Sequence, residues 1–174
     1  MNKMKMTAVG IALALGMAGA ASAAELSRGD QKFLRIAAES GMFEIEASKV
    51  AVQKGQSQEV KDFAQMMITD HTKVAGELKT LAAAKGFTLP TELPRGMRKD
   101  IEDLNKKTGH DFDDDYSDDI AVDAHEDAVE AFKDAADDAK DADVKAFAAK
   151  TLPSLQAHLE KGRALEKTVD AMKK

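Results

Sequence analysis

Four side chains in this sequence have the types and spacing to do chemistry together: Glu44, His71, His125 and His158. His71 raises the question, because it stands where apolar spacing asks for a leucine. Val60, Phe63, Met67, His71, Val74, Leu78 and Leu81 recur by threes and fours, the inner stripe of an amphipathic helix. Three further stripes repeat the pattern. Phe33, Ala37, Ser40, Glu44, Ala47 and Ala51 share one arc, with small residues leaving room beside Glu44. Val122, His125, Val129, Phe132 and Ala136 share another, and Val144, Phe147, Thr151, Leu155, His158, Leu165 and Val169 a third. Each stripe carries one titratable side chain, and His110 is the histidine left out.

Three imidazoles and a carboxylate suit a transition-metal ion: zinc, iron, copper, nickel or manganese. Met67, one turn before His71, is either ordinary packing or half of a Met/His site for copper or haem. Asp70 is rotated off the stripe, where it can orient a histidine of another helix or pair with Lys73. The usual di-iron site is excluded, since it takes Glu-x-x-His from two helices. Ile68, Val122 and Leu155 stand three residues before the three histidines. Ferroxidase chemistry is therefore not expected. Asp111, Asp113 and Asp115 alternate as in a calcium loop, but Tyr116 occupies the glycine position and Val122 that of the bidentate glutamate. Fifteen acidic residues between positions 111 and 143, against two lysines, read as a solvated face. No nucleophile constellation, phosphate-cradling glycine loop or HExxH motif is present, so catalysis is not expected.

The elements that must position these residues are helices. Ala, Lys, Glu, Gln, Met and Leu dominate from Leu26 onward, and no alternating run predicts a strand. Helices are expected over residues 28–54, 57–85, 111–140 and 141–172, the first stopped by Gly55 and the second by Gly86. Short links make two antiparallel hairpins of them. Pro90 and Pro94 interrupt the longer connection, in which residues 95–107 are expected to form a short helix. This predicts an all-α fold, a ferritin-like antiparallel four-helix bundle with a long connection between helices two and three. An up-down bundle with a decorated loop is the alternative, and the crossover is preferred. A weak echo links the hairpins: "EVKDFA" opens helix two and "DVKAFA" helix four. At 1.5 Å per residue the four titratable residues lie roughly 18–27 Å from the hairpin turns, near the middle of their helices. All four can meet at one level under either topology.

The N-terminus reads as an address. Lys3 and Lys5 precede the apolar run "AVGIALALGMAGA", and "ASA" ends at Ala23. Residues 1–23 are expected to be a secretory signal peptide, too short for a stable span, leaving 24–174 as one domain in the periplasm. No later segment is long and apolar enough to cross a bilayer. No cysteine offers a disulfide or lipid anchor. The net charge is −6 and becomes more negative once the leader's lysines are gone, which disfavours nucleic acid and anionic membranes as partners.

"MITDHTK", "LAAAKGFTLP", "AFAAKTLPSLQAHL" and, around Glu44, "GMFEIEAS" together resemble the exported bacterial domain-of-unknown-function family 4142. The likeness spans nearly all of residues 26–165. It implies a ferritin-like bundle and export, and its pattern carries over to Glu44, Asp70, His71, His125, Pro153 and His158. Ala124 departs from it, because an acidic residue commonly precedes the helix-three histidine. The resemblance implies no established activity. Two readings follow. In one, the bundle holds a metal or cofactor in its core. In the other, it is a non-catalytic envelope protein whose Glu–His cluster is a core hydrogen-bond network or pH sensor, with a protein partner on its surface.

Overall fold

Residues 25–173 are described by a computed structural model, and among them every regular element is a helix. The expected signal peptide lies outside the described residues. Helix α1 is Arg28–Lys54, α2 Gln58–Ala84, α3 Arg95–Leu104, α4 His110–Asp115, α5 Ala124–Asp138 and α6 Ala142–Ala171. Between α4 and α5 the chain does not break. It continues as a π-helical segment, Tyr116–Asp123, so the third long rod is wider in its middle than the plain α-helix expected there.

Local chemistry sets the ends. Ser27 caps α1 by accepting from the Asp30 N–H. Ser57 and Asp141 cap α2 and α6 by accepting from Val60 and Val144, at 3.2 and 3.1 Å. The sequence echo of helices two and four is therefore a repeated cap. At the end of α2, Gly86 adopts φ +65°, and the Phe87 N–H turns back to the Ala82 carbonyl at 2.9 Å. This left-handed closure satisfies an end carbonyl and sends the chain away across the helix.

Two buried aspartates fix which ends meet. Asp30, in the first turn of α1, accepts from the backbone N–H groups of Lys140 and Asp141 at the α5–α6 turn, at 3.0 and 3.2 Å. Lys85, just past α2, pairs there with Asp141 and Asp143. At the other end Asp113, in the first turn of α4, accepts from Gln56 and Ser57 at the α1–α2 turn, at 2.8 and 2.7 Å. His110 beside it donates from Nε2 to the Val169 carbonyl near the end of α6. Hence α2 and the α4–α5 rod run parallel, and residues 85–109, carrying α3, return along the length of the molecule. Asp113 corrects the expectation that the acidic run is wholly a solvated face. It is 3% exposed and ties one hairpin to the other's turn.

The apolar core comes in two parts. Around the α1–α2 turn lie Phe43, Val60, Phe63, Met67, Phe112, Tyr116 and Val169. Toward the other end lie Phe33, Leu34, Leu78, Phe132, Val144, Phe147 and Leu155. Between them sits a layer of buried polar side chains: Glu44, His71, His125 and His158. Where α6 crosses the π-helical segment the backbones nearly touch. A Cβ added to Gly162 would lie 1.9 Å from the Ala121 carbonyl oxygen. Gly162→Ala is accordingly expected to cost about 1–3 kcal/mol through overpacking. Gly76→Ala, where a Cβ meets nothing within 4 Å, should stabilise α2 by roughly 0.5–1 kcal/mol. Urea denaturation of both variants checks this, and shifts of the same sign would contradict the close approach.

Candidate metal centre

The buried layer is built one residue per long rod. Glu44 comes from α1, His71 from α2, His125 from the first turn of α5 and His158 from α6. Their exposures are 1%, 3%, 0% and 3%. The imidazole centroids stand 5.5 Å apart for His71–His125, 5.3 Å for His71–His158 and 5.7 Å for His125–His158.

Each imidazole spends its outer nitrogen on an oxygen. His71 Nδ1 is 2.8 Å from Glu44 Oε2. His125 Nδ1 is 3.0 Å from the Ile120 carbonyl oxygen, five residues back in the π-helical segment. His158 Nε2 is 3.0 Å from Asp70 Oδ2. All three oxygens are acceptors, so each outer nitrogen carries the hydrogen. In a neutral imidazole the other nitrogen is then a bare lone pair. Those remaining atoms, His71 Nε2, His125 Nε2 and His158 Nδ1, are buried without a hydrogen-bond partner, as is Glu44 Oε1. One nitrogen from each of the three rings lies within 4.8 Å of the others. Three unpartnered lone pairs on neutral, buried rings whose nitrogens approach one another this closely are what a cation needs. A histidine ligand whose second nitrogen is held by a carboxylate or carbonyl is the usual support for metal.

The structure thus brings all four sequence-predicted side chains into one layer, with different parts. Glu44 holds His71 and is not among the three converging groups. Asp70, with its side chain 43% exposed, reaches across from α2 to His158 of α6. Met67 is buried in the apolar cluster with Phe63 and Tyr116. The sequence reading assigned no part in the site to Ser48, Tyr116, Phe63 or the Ile120 carbonyl. Ser48, one turn beyond Glu44, shares a buried hydrogen bond of 2.8 Å with Tyr116. Phe63 meets both Tyr116 and His125 in T-shaped contacts. The Ile120 carbonyl could not have been found from side-chain types. Ser48 had a signal in its i, i+4 spacing from Glu44, and Tyr116 is the single tyrosine of the chain.

Electrostatics divides the layer. Burial pushes the Glu44 carboxyl up, but the charge and hydrogen bond of His71, with His125 and His158 adding, leave it below the ordinary carboxylate value. Burial pushes His71 down, and the Glu44 charge and hydrogen bond, with Asp70, more than reverse this. Burial together with the other two imidazoles holds His158 below the ordinary value despite Asp70. Burial raises Tyr116 well above the usual phenol, keeping it neutral.

Residues 15–165 match the family described as "Domain of unknown function (DUF4142)". The chain belongs to the DUF4142 family. Among solved structures, the chain is similar to one described as "Crystal structure of DUF305 fragment from Deinococcus radiodurans". The TM-score is 0.70 at 10% sequence identity, over 84% of this chain and 98% of that one. At that identity the likeness speaks for the helical fold alone. No curated protein matches the chain.

In the metal-free DUF4142 chain, His71 is expected to titrate above pH 6.5 and His158 below it, read from the imidazole resonances by NMR. With its pKa raised, His71 contributes stability that is fully present below pH 6.5 and lost as pH rises through its folded value. Glu44→Gln should bring the His71 midpoint down. Coincident midpoints in the parent protein would contradict the Glu44 contact.

Proposed function

We propose that this DUF4142 protein is an exported metal-binding protein, a ferritin-like four-helix bundle with one crossover that holds a single transition-metal ion in its core. The return of residues 85–109 along the molecule supports the crossover. The apolar run and small residues ahead of Ala24 support export to a periplasm. His71 Nε2, His125 Nε2 and His158 Nδ1 are the ligands. Glu44, Ile120 and Asp70 fix the three tautomers from outside.

One observation carries this reading: the only buried side-chain nitrogens and oxygens without partners among the described residues are the four that face this layer. A buried polar atom left unpaired costs about 1–3 kcal/mol, so four together are a heavy cost for a purely structural network. A bound ion removes most of it. The same observation weighs against a self-satisfied Glu–His network, which would have closed its own hydrogen bonds. Three neutral imidazoles favour zinc, copper, nickel or ferrous iron over manganese, which prefers oxygen ligands. The donor set resembles a catalytic zinc site in leaving a fourth position for water or another ligand.

Protein purified without an affinity tag is expected to carry, or take up, one equivalent of zinc per chain by elemental analysis. The double variant His71→Ala, His158→Ala should carry none. With free zinc at a thousand times the dissociation constant, binding adds about 4 kcal/mol to stability. That raises the melting temperature by roughly 8–16 °C for a domain this size. No stoichiometric metal in the parent protein, and no zinc-dependent shift in melting, would overturn the reading.

A further inference from the structure

A cavity of about 600 Å³ opens between α1, α2 and the segment that leaves α2, and its wall includes Glu44 and His71. Its body is apolar: Leu78, Phe87, Leu89, Phe132 and Leu155 contribute, with alanines between them. Exposed Lys79 and Thr91 stand at its border. The volume falls within the range of small-molecule sites, roughly 300–1,000 Å³. The segment over it is fixed rather than incidental, because the left-handed Gly86 turn and the Phe87–Ala82 hydrogen bond place Phe87 and Leu89 on it.

The polar contribution to this wall is specific. Glu44 Oε2 is committed to His71, while Glu44 Oε1 is buried and has no partner. Glu44 belongs to the wall and its unpartnered oxygen lies just beneath the surface, so the otherwise greasy chamber selects a ligand with one donor at its tip and hydrocarbon behind it. A cationic tip fits less well, since the apolar chamber would strip it of water while the Glu44 carboxylate is already shared with His71. We propose that the cavity binds a small apolar molecule bearing one hydroxyl, an alcohol or a phenol, whose hydroxyl donates to Glu44 Oε1. The cavity thereby becomes a route by which such a molecule reaches the edge of the histidine layer.

This inference does not rest on the metal reading, and the experiment keeps the two apart. Gly41 lines the cavity, and a Cβ built on it meets nothing within 4 Å, so a side chain there starts into open space. The probes are 4-butylphenol and butylbenzene, titrated calorimetrically into metal-free and zinc-treated protein. The phenol is expected to bind one per chain, at least tenfold tighter than butylbenzene. Glu44→Gln should shrink that preference. Gly41→Leu should abolish binding of both probes while leaving the melting curve cooperative and zinc uptake as in the parent. Absence of saturable phenol binding in either form, equal affinity for the two probes, or binding that survives Gly41→Leu would each overturn the proposal. A protein that takes no zinc but binds the phenol refutes the metal reading and leaves this one standing.

Discussion

Three N–H groups pointing outward decide the character of this molecule. Because His71, His125 and His158 each meet an acceptor on the far side of the ring, none of them in its neutral form can donate inward. The interior then holds three lone pairs that repel one another and cannot be relieved by rotamer or tautomer changes without giving up an outer hydrogen bond. Water reaches buried sites only where it finds two or more partners, and a single water can donate to only two of these nitrogens. A cation satisfies all three. The arrangement is costly as a packing device and sensible as a ligand set.

The rest of the fold keeps that geometry from relaxing. The two hairpins are locked by reciprocal buried aspartates, Asp30 on one turn and Asp113 on the other, which fix their lengthwise register. Register matters because each histidine rides on a different rod, and sliding one helix by a single turn would move its imidazole about 5 Å out of the layer. The π-helical segment places the Ile120 carbonyl at the His125 ring. Gly162 lets α6 settle onto that segment at Ala121. Apolar clusters above and below exclude water from the layer and so raise the stakes of every unpaired atom within it.

Much of this was legible from the sequence. Regular spacing of apolar residues found α1 to its last residue and the other long helices to within a residue or two. It also assigned Glu44, His71, His125 and His158 to inner stripes, because one residue in three or four on a helix must face inward whatever its chemistry. Depth followed from helical rise. What was missed depends on backbone or on distant partners. A π-helical insertion leaves no mark in the hydrophobic period when its own residues are buried on most sides, as Tyr116, Ser117, Ile120, Ala121 and Val122 are. Asp113 looks like its acidic neighbours until the Gln56 and Ser57 amides are placed beside it. Glu44 and the histidines were read as equals, whereas only distances show that the carboxylate orients one ring and stands apart from the converging nitrogens.

Metal-edge X-ray absorption of the zinc-reconstituted protein tests the central claim most directly, because it counts and identifies the atoms around the ion. Three imidazole nitrogens at about 2.0–2.1 Å, with one further oxygen or nitrogen neighbour, are predicted. A spectrum dominated by carboxylate oxygens, without the multiple-scattering signature of imidazole rings, would mean that the ion sits on the acidic surface and that the three lone pairs face one another for some other reason.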